Sequence, residues 1–322
     1  MIELRTPSRL HFGLLAYSQQ AGRQFGGVGL MVNQPDILLR LEPADEFVAT
    51  GPMADRALVF ARRFADRCDQ TLNGARIEIA RAPRPHTGLG TGTQLGMAVA
   101  KALALMIDRD DWGAEELASM VGRGQRSAIG VYGFFTGGLI VEGGKADPTR
   151  LSPRLVQQPF CERWRLVLVS QHRLQGISGR EEQHAFATIP SIGDETTAKM
   201  CRLVLLGLLP ALLEQDLECF SQALFELQQL VGSCFAASQG GIYADPLLTS
   251  IVQFVRDQGV PGVGQSSWGP TLYVVTANQA MANQLADDIR NKFDLQDHEV
   301  SITEADNHGA EVRLGDRVTD LG

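Results

Sequence analysis

A glycine-rich segment, HTGLGTGTQLG, runs directly into a long apolar-periodic stretch over residues 94–107. Gly88, Gly90 and Gly92 carry no Cβ and so permit close backbone approach, and a helix opening behind them presents unpaired amides and the positive end of its dipole. Such a start is suited to holding an anion, phosphate above all. Thr91 and Thr93 add hydroxyls able to meet a phosphate oxygen or Mg2+, and Gln94 follows them. A plain glycine turn with a capped helix has the same local pattern, so the surrounding chain must decide. Two commoner nucleotide loops are excluded by spacing. A P-loop requires Lys where Gln94 follows Thr93, and a dinucleotide fingerprint requires a GxGxxG spacing that GLGTGT lacks.

A net charge of −8 argues against a broad grip on nucleic acid, while a local basic pocket for one phosphorylated metabolite remains compatible with it. The five cysteines are dispersed and lack a CxxC pair, as expected of free thiols in a reducing compartment. The opening segment MIELRTPSRLHFG lacks the apolar centre of a signal peptide, and the most apolar stretch, residues 203–213, is too short to span a bilayer and contains Pro210. The expectation is a cytoplasmic protein with no membrane partner, that stretch being a core helix.

A chain of 322 residues suggests two domains, and Pro148, Pro153 and Pro159 mark a linker between 1–160 and 161–322. Periodicity predicts strands over 9–17, 37–41 and 76–79, helices over 54–68 and 94–107, a helix from Ala114 and a strand in GGLIVEGG. Beyond the linker come the strand RLVLVS, helices over 195–213 and 217–235, and a mixed order of helix, strand, strand, helix, strand. That order indicates an α+β class.

Three segments, RTPSRLHFGLL, PRPHTGLGTGTQLG and GVGQSSWGPTLYVVT, resemble in order the motifs of the GHMP small-molecule kinases. The resemblance implies a two-domain GHMP fold, a ribosomal-protein-S5-like N-terminal domain joined to a ferredoxin-like C-terminal domain, with ligand between them. Many of those kinases carry an Asp after a Ser-x-Ile stretch. Here Ser127, Ala128 and Ile129 are followed by Gly130, and a group that would receive the acceptor hydroxyl proton is missing.

SRLHFGLL, GRQFGGVGL, GLGTGTQ, GRGQRSAIGVYGFFTGGLIVEGG and GQSSWGPTLY resemble more specifically the β-ribofuranosylaminobenzene 5'-phosphate synthase family. The resemblance implies a Mg2+-assisted phosphoribosyltransferase, with a homodimer as its expected assembly. Its substrates would be phosphoribosyl pyrophosphate (PRPP) and 4-hydroxybenzoate or 4-aminobenzoate, and its by-products CO2 and pyrophosphate, on the route to tetrahydromethanopterin-type carriers. An ATP-dependent kinase of the same fold and a non-catalytic metabolite-binding regulator stand as alternatives.

Candidate site residues follow from both lines. Arg9 and His11 share a strand face opposite Leu10, Phe12 and Leu14, and either reach a cleft or meet solvent. Arg9 is assigned to phosphate, and His11 to orienting substrate or moving a proton. Arg23, beside Gly26 and Gly27, offers a fork for carboxylate or phosphate, or is a solvated loop arginine. Arg123, Gln125, Arg126 and Ser127 form a polar cluster around Gly122 and Gly124, at least one of them for ligand contact. Gly264, Gln265, Ser266, Ser267 and Trp268 offer amides, hydroxyls and a ring that either stacks on an aromatic acid or packs under its own loop. Thr91, Thr93 and Glu142 are the metal candidates, and Glu182, near His172, either assists a metal or caps a helix.

Overall fold

A computed structural model describes residues 1–17, 22–171, 191–267, 269–315 and 317–320. Two long strands, β1 (Ile2–Ala16) and β2 (Phe25–Pro43), pair antiparallel and form the spine of the first sheet. Long stretches of both are buried without alternation, so both faces are covered there. Short strands extend them: β3 (Val48–Thr50), β4 (Ala75–Arg81), β5 (Leu139–Glu142) and β6 (Arg154–Gln158). On one face Leu4, Ile37, Leu39, Leu41, Ile77 and Ile79 pack on α1 (Ala54–Arg67), α2 (Thr91–Met106) and α3 (Ala114–Val121). Helix α2 is buried almost all round, which its Ala and Gly content allows by letting neighbours approach. A fourth helix, α4 (Ile129–Thr136), was not expected from sequence, because its glycines and aromatic residues are poor helix formers in isolation.

The second sheet has the order β10-β7-β9-β8, built from β7 (Arg165–Ser170), β8 (Val263–Gln265), β9 (Thr271–Thr276) and β10 (Val300–Thr303). In β7, Leu166 and Leu168 face inward towards Leu10, Phe12 and Val28 of the first sheet. Val167 and Val169 face outward onto α8 (Pro246–Asp257) and α9 (Gln279–Phe293). The unbroken apolar run RLVLVS is thus a strand covered on both sides. Between the sheets lie α5 (Asp194–Leu203), a π turn (Val204–Leu208), α6 (Leu209–Glu214) and the long α7 (Leu217–Gln239).

The expected helix over 195–213 is therefore interrupted, and it is a core helix on one face only. Met200, Val204, Leu208, Ala211 and Leu212 are buried, whereas Leu205, Leu206 and Leu213 are exposed. Residues 194–214 are long and apolar enough by composition to cross a membrane. After β10 the chain returns to the first sheet: β11 (Glu311–Leu314) pairs with β1, and β12 (Arg317–Asp320) pairs with β11. The first sheet's β6 ends at Gln158 and the second sheet's β7 begins at Arg165, while the terminal ribbon returns to the first sheet.

One buried ion cluster clamps the first sheet. The Asp36 carboxylate accepts from Arg5 Nε at 3.0 Å and from Arg81 Nε and Nη2 at 2.7 and 2.6 Å. Burial alone would raise this carboxyl, but the hydrogen bonds and charges of Arg81 and Arg5 hold it below its usual value. A lowered folded-state value contributes stability above the ordinary carboxylate range that is lost as pH falls through the folded value. Asp36→Asn is expected to cost about 2 kcal/mol at neutral pH, the half-exposed Arg81 keeping the figure modest. Urea unfolding of both proteins should show this difference shrinking below about pH 4.

Candidate active site

A cleft of about 220 Å3 opens between the sheets. Its floor is β1, which contributes Arg9, His11, Phe12, Gly13 and Leu14. A shift of pairing register between His11 and Gly13 re-aims the strand there, so consecutive residues reach the cavity. One wall is Thr93 with residues 122–127 and Gly130; the other is α7 with Ile242, Gln265 and Ser267.

The glycine loop folds as expected into the start of α2, with Gly90 in the left-handed region and no acidic residue in the first turn. Arginines converge on that start. A Cβ on Gly90 would lie 3.0 Å from Arg9 Nε, one on Gly92 would meet the Arg56 guanidinium, and Arg123 Nη2 donates to Thr93 Oγ1 at 3.1 Å. Gly88 has a different task. With φ at +88°, it packs so tightly on the 266–269 turn that a Cβ would overlap the Ser266 carbonyl and lie 3.0 Å from Gly269 Cα.

Ser266 rivets three segments together, for its hydroxyl accepts the His11 amide at 2.9 Å and donates to the Gly88 carbonyl at 2.7 Å. It is fully buried and does not line the cleft, whereas Gln265 and Ser267 do. Gly264 packs against Gln228 and Tyr273, and Trp268 lies outside the described residues, as do His172 and Glu182. Gln94 is also buried behind the wall, where Nε2 donates to the Gly130 carbonyl at 2.7 Å and braces the start of α4.

Arg23 is not brought to the cleft. Its guanidinium donates to the carbonyls of Gly143 and Gly144 at 2.7 and 2.8 Å, stapling the turn after β5. Gly26 and Gly27 sit in β2, and Gly27 is the point where His11 and Glu142 meet. A Cβ there would lie 3.3 Å from His11 Nε2 and 3.5 Å from Glu142 Oε1. Burial, reinforced by the Arg9 charge, holds His11 well below its usual value and keeps the imidazole neutral near pH 7.

Glu142 accepts the Ala128 amide at 2.7 Å through Oε2, while Oε1 is buried without a hydrogen-bond partner among the described residues. Burial raises its carboxyl against the pull of the Ser127 hydroxyl, the Ala128 amide, Ser152 and Arg9. Thr91 Oγ1 is likewise buried with no partner among them. No group of three or more His, Cys, Asp or Glu side chains gathers among the described residues, so a protein-only metal cage is not present there. Of the three metal candidates, Thr93 lines the cleft, whereas Thr91 and Glu142 are buried outside its lining.

Sequence reasoning missed the α7 wall, formed by Gln228, Val231, Gly232, Phe235 and Gln239. The interruption of an apolar helix by glutamines and a glycine was its only local signal. Arg56, which approaches the loop from α1, was missed as well, whereas the whole expected cluster of Arg123, Gln125, Arg126 and Ser127 lines the cleft.

Comparison with known proteins places this geometry. The model of a family described as GHMP kinases C terminal matches residues 208–295. The beta-ribofuranosylphenol 5'-phosphate synthase of Archaeoglobus fulgidus is 30% identical, covering 98% of this chain and 100% of that protein. Its counterpart in Methanothermobacter thermautotrophicus is 32% identical, covering 85% of this chain and 88% of that protein. Among solved structures, homoserine kinase from Cytophaga hutchinsonii superposes with a TM-score of 0.65 at 16% identity, covering 97% of each chain. That likeness establishes the two-domain α+β GHMP fold.

Proposed function

The chain belongs to the beta-ribofuranosylphenol 5'-phosphate synthase family, and on that premise we propose that it condenses PRPP with 4-hydroxybenzoate or 4-aminobenzoate, releasing CO2 and pyrophosphate. It is a pentosyltransferase, acting on the route to tetrahydromethanopterin-type carriers. The observation that carries the reading is the lining of the cleft: Arg9, Arg123 and Arg126 and, among the described residues, no carboxylate. Such a surface suits a substrate with two phosphate-bearing ends, and offers no carboxylate to take a proton from an alcohol.

In the reaction, the bond from ribose C1' to the diphosphate oxygen breaks and its electron pair leaves with pyrophosphate. The ring carbon bearing the carboxylate, enriched by the para hydroxyl or amino group, bonds to C1'. Its bond to the carboxylate then breaks, CO2 departs and the pair restores aromaticity, so no net proton transfer is required. The α2 start and the arginines bind the phosphates and stabilise the departing charge. His11, neutral and beside Arg9 on the floor, orients the sugar and ring without adding a positive charge beside the developing oxocarbenium centre. Mg2+ would supply further neutralisation of the diphosphate when bound, and of the candidates Thr91, Thr93 and Glu142 we assign to it the Thr93 hydroxyl on the cleft wall. A cytoplasmic homodimer belongs to the same proposal.

The test is to incubate protein and Mg2+ with PRPP and each benzoate, and separately with ATP and candidate alcohols, measuring CO2, pyrophosphate and ADP. CO2 and pyrophosphate formed in equal amounts are expected. ADP without CO2 would make the chain a kinase, and binding without turnover a regulator.

A further inference from the structure

Glu142 lies outside the lining of the cleft, and the reaction proposed above leaves it without a task. It is the last residue of β5, is paired with Gly27 of β2 and is 1% exposed. A carboxylate buried so deeply is costly unless hydrogen bonds hold it there. The bond it makes is to the backbone: the Ala128 amide donates to Oε2 at 2.7 Å.

Ala128 closes the loop that joins α3 to α4. Residues 123–128 of that loop belong to no helix or strand, yet Arg123, Gly124, Gln125, Arg126 and Ser127 all line the cleft. At its start the loop is held by the end of α3, where the Gly122 and Arg123 amides donate to the Ser119 and Ala118 carbonyls at 3.2 and 2.8 Å. At its far end α4 opens with no side-chain cap from Ala128 and no acidic residue in its first turn. Two side chains act there instead: Ser127 Oγ accepts the Ile129 amide at 3.3 Å, and Glu142 accepts the Ala128 amide from a strand that follows 14 residues later. A carboxylate in this place also meets the positive end of the α4 dipole. Glu142 is a firm anchor, because β5 is hydrogen-bonded to β2 on one side and to β6 on the other.

We propose that Glu142 is a positioning residue: by accepting the Ala128 amide it ties the 122–128 loop to the first sheet, and so sets where Arg123, Arg126 and Ser127 stand for PRPP. The identity of that ligand rests on the phosphoribosyl-transfer reading. The role needs an acceptor oxygen at Oε2 and no negative charge, which separates it from that of a metal ligand or a proton acceptor. A glutamine at this position meets the requirement. Its amide nitrogen can replace Oε1 beside the Gly13 carbonyl, since both oxygens lie within 3.5 Å of the point that a Cβ on Gly27 would occupy.

The test compares Glu142→Gln, which keeps bulk and acceptor, with Glu142→Met, which keeps the bulk and removes the acceptor. PRPP binding is measured by calorimetry with Mg2+ present, turnover by CO2 release, and folding by urea unfolding. Glu142→Gln is expected to stay within about threefold of the wild type in PRPP dissociation constant, in kcat/KM and in the Mg2+ concentration for half-maximal activity. Glu142→Met should weaken PRPP binding by about tenfold or more, and the amides of residues 122–128 should exchange with deuterated water about tenfold faster or more. A Glu142→Gln protein that loses more than about tenfold in kcat/KM, needs about tenfold more Mg2+, or fails to fold would overturn the proposal, because the charge would then be what matters. Binding of PRPP by Glu142→Met as tight as the wild type's would overturn it from the other side. Should Glu142→Met not fold, Glu142→Gln decides alone. If the wild-type protein itself binds no PRPP, the phosphoribosyl-transfer reading fails, whereas hydrogen exchange over residues 122–128 still reads the tie to Glu142.

Discussion

Arg9→Ala is expected to lower kcat/KM for PRPP by about 10²–10³-fold, the loss that follows when one member of a buried charge pair with a bound anion is truncated. The backbone explains the size of the effect. The Arg9 amide donates to the Leu89 carbonyl at 2.9 Å, so β1 and the glycine loop are locked in register, and the side chain rises beside Gly90 at the start of α2. There it joins Arg123 and Arg126 in lining the cleft. Loss of the guanidinium removes a fork that no neighbour replaces in geometry, since Arg123 is already turned towards Thr93. Arg9→Lys should recover only part of the activity, because an ammonium retains the charge without the planar pair of donors. Steady-state kinetics at saturating benzoate, with PRPP binding measured by calorimetry, reads both effects; equal kinetics for all three proteins would remove Arg9 from the phosphate site.

Gly88→Val should destabilise the protein by about 3 kcal/mol and weaken PRPP binding as well, even though Gly88 does not line the cleft. Its positive φ disfavours any side chain, and the Cβ would occupy the space of the Ser266 carbonyl. Separation of the two loops would then break the Ser266 hydroxyl bridge between Gly88 and His11. Ser266→Ala, which removes that bridge without a clash, should cost about 1–3 kcal/mol by leaving the buried His11 amide unsatisfied. Urea unfolding of both variants gives the ordering, with Gly88→Val the less stable; the reverse ordering would show that the bridge outweighs the close approach.

Local pattern was informative where one segment makes its own environment. The glycine run and the apolar periodicity behind it foretold α2 and the glycine loop at its start. The apolar run RLVLVS foretold a strand, whereas the alternation around residues 9–14 did not foretell that Phe12 and Leu14 would line the cleft beside Arg9 and His11, because the register shift after His11 breaks it. Arg23 shows the limit of such reasoning. A loop arginine beside two glycines reads equally as an anion clamp or a surface residue, and it proves to staple the backbone carbonyls of Gly143 and Gly144, which lie far along the chain. Ser266 was read as a ligand contact for the same reason, since a hydroxyl in a glycine turn carries no record of which buried amide it will meet.

The sequence by itself determined that a glycine loop opens a buried helix, that the chain follows the GHMP order of motifs, and that no carboxylate occupies position 130. Only the tertiary structure decided which residues share the cleft, since it gathers Arg9, residues 11–14, Thr93, residues 122–127, Gly130, Gln265 and Ser267 with one side of α7 and Ile242. It also decided that the terminal ribbon completes the first sheet. The physical reason is common to all of these. Periodicity records which face of an element leaves water, whereas the partner that covers this face is set by packing between segments more than a hundred residues apart.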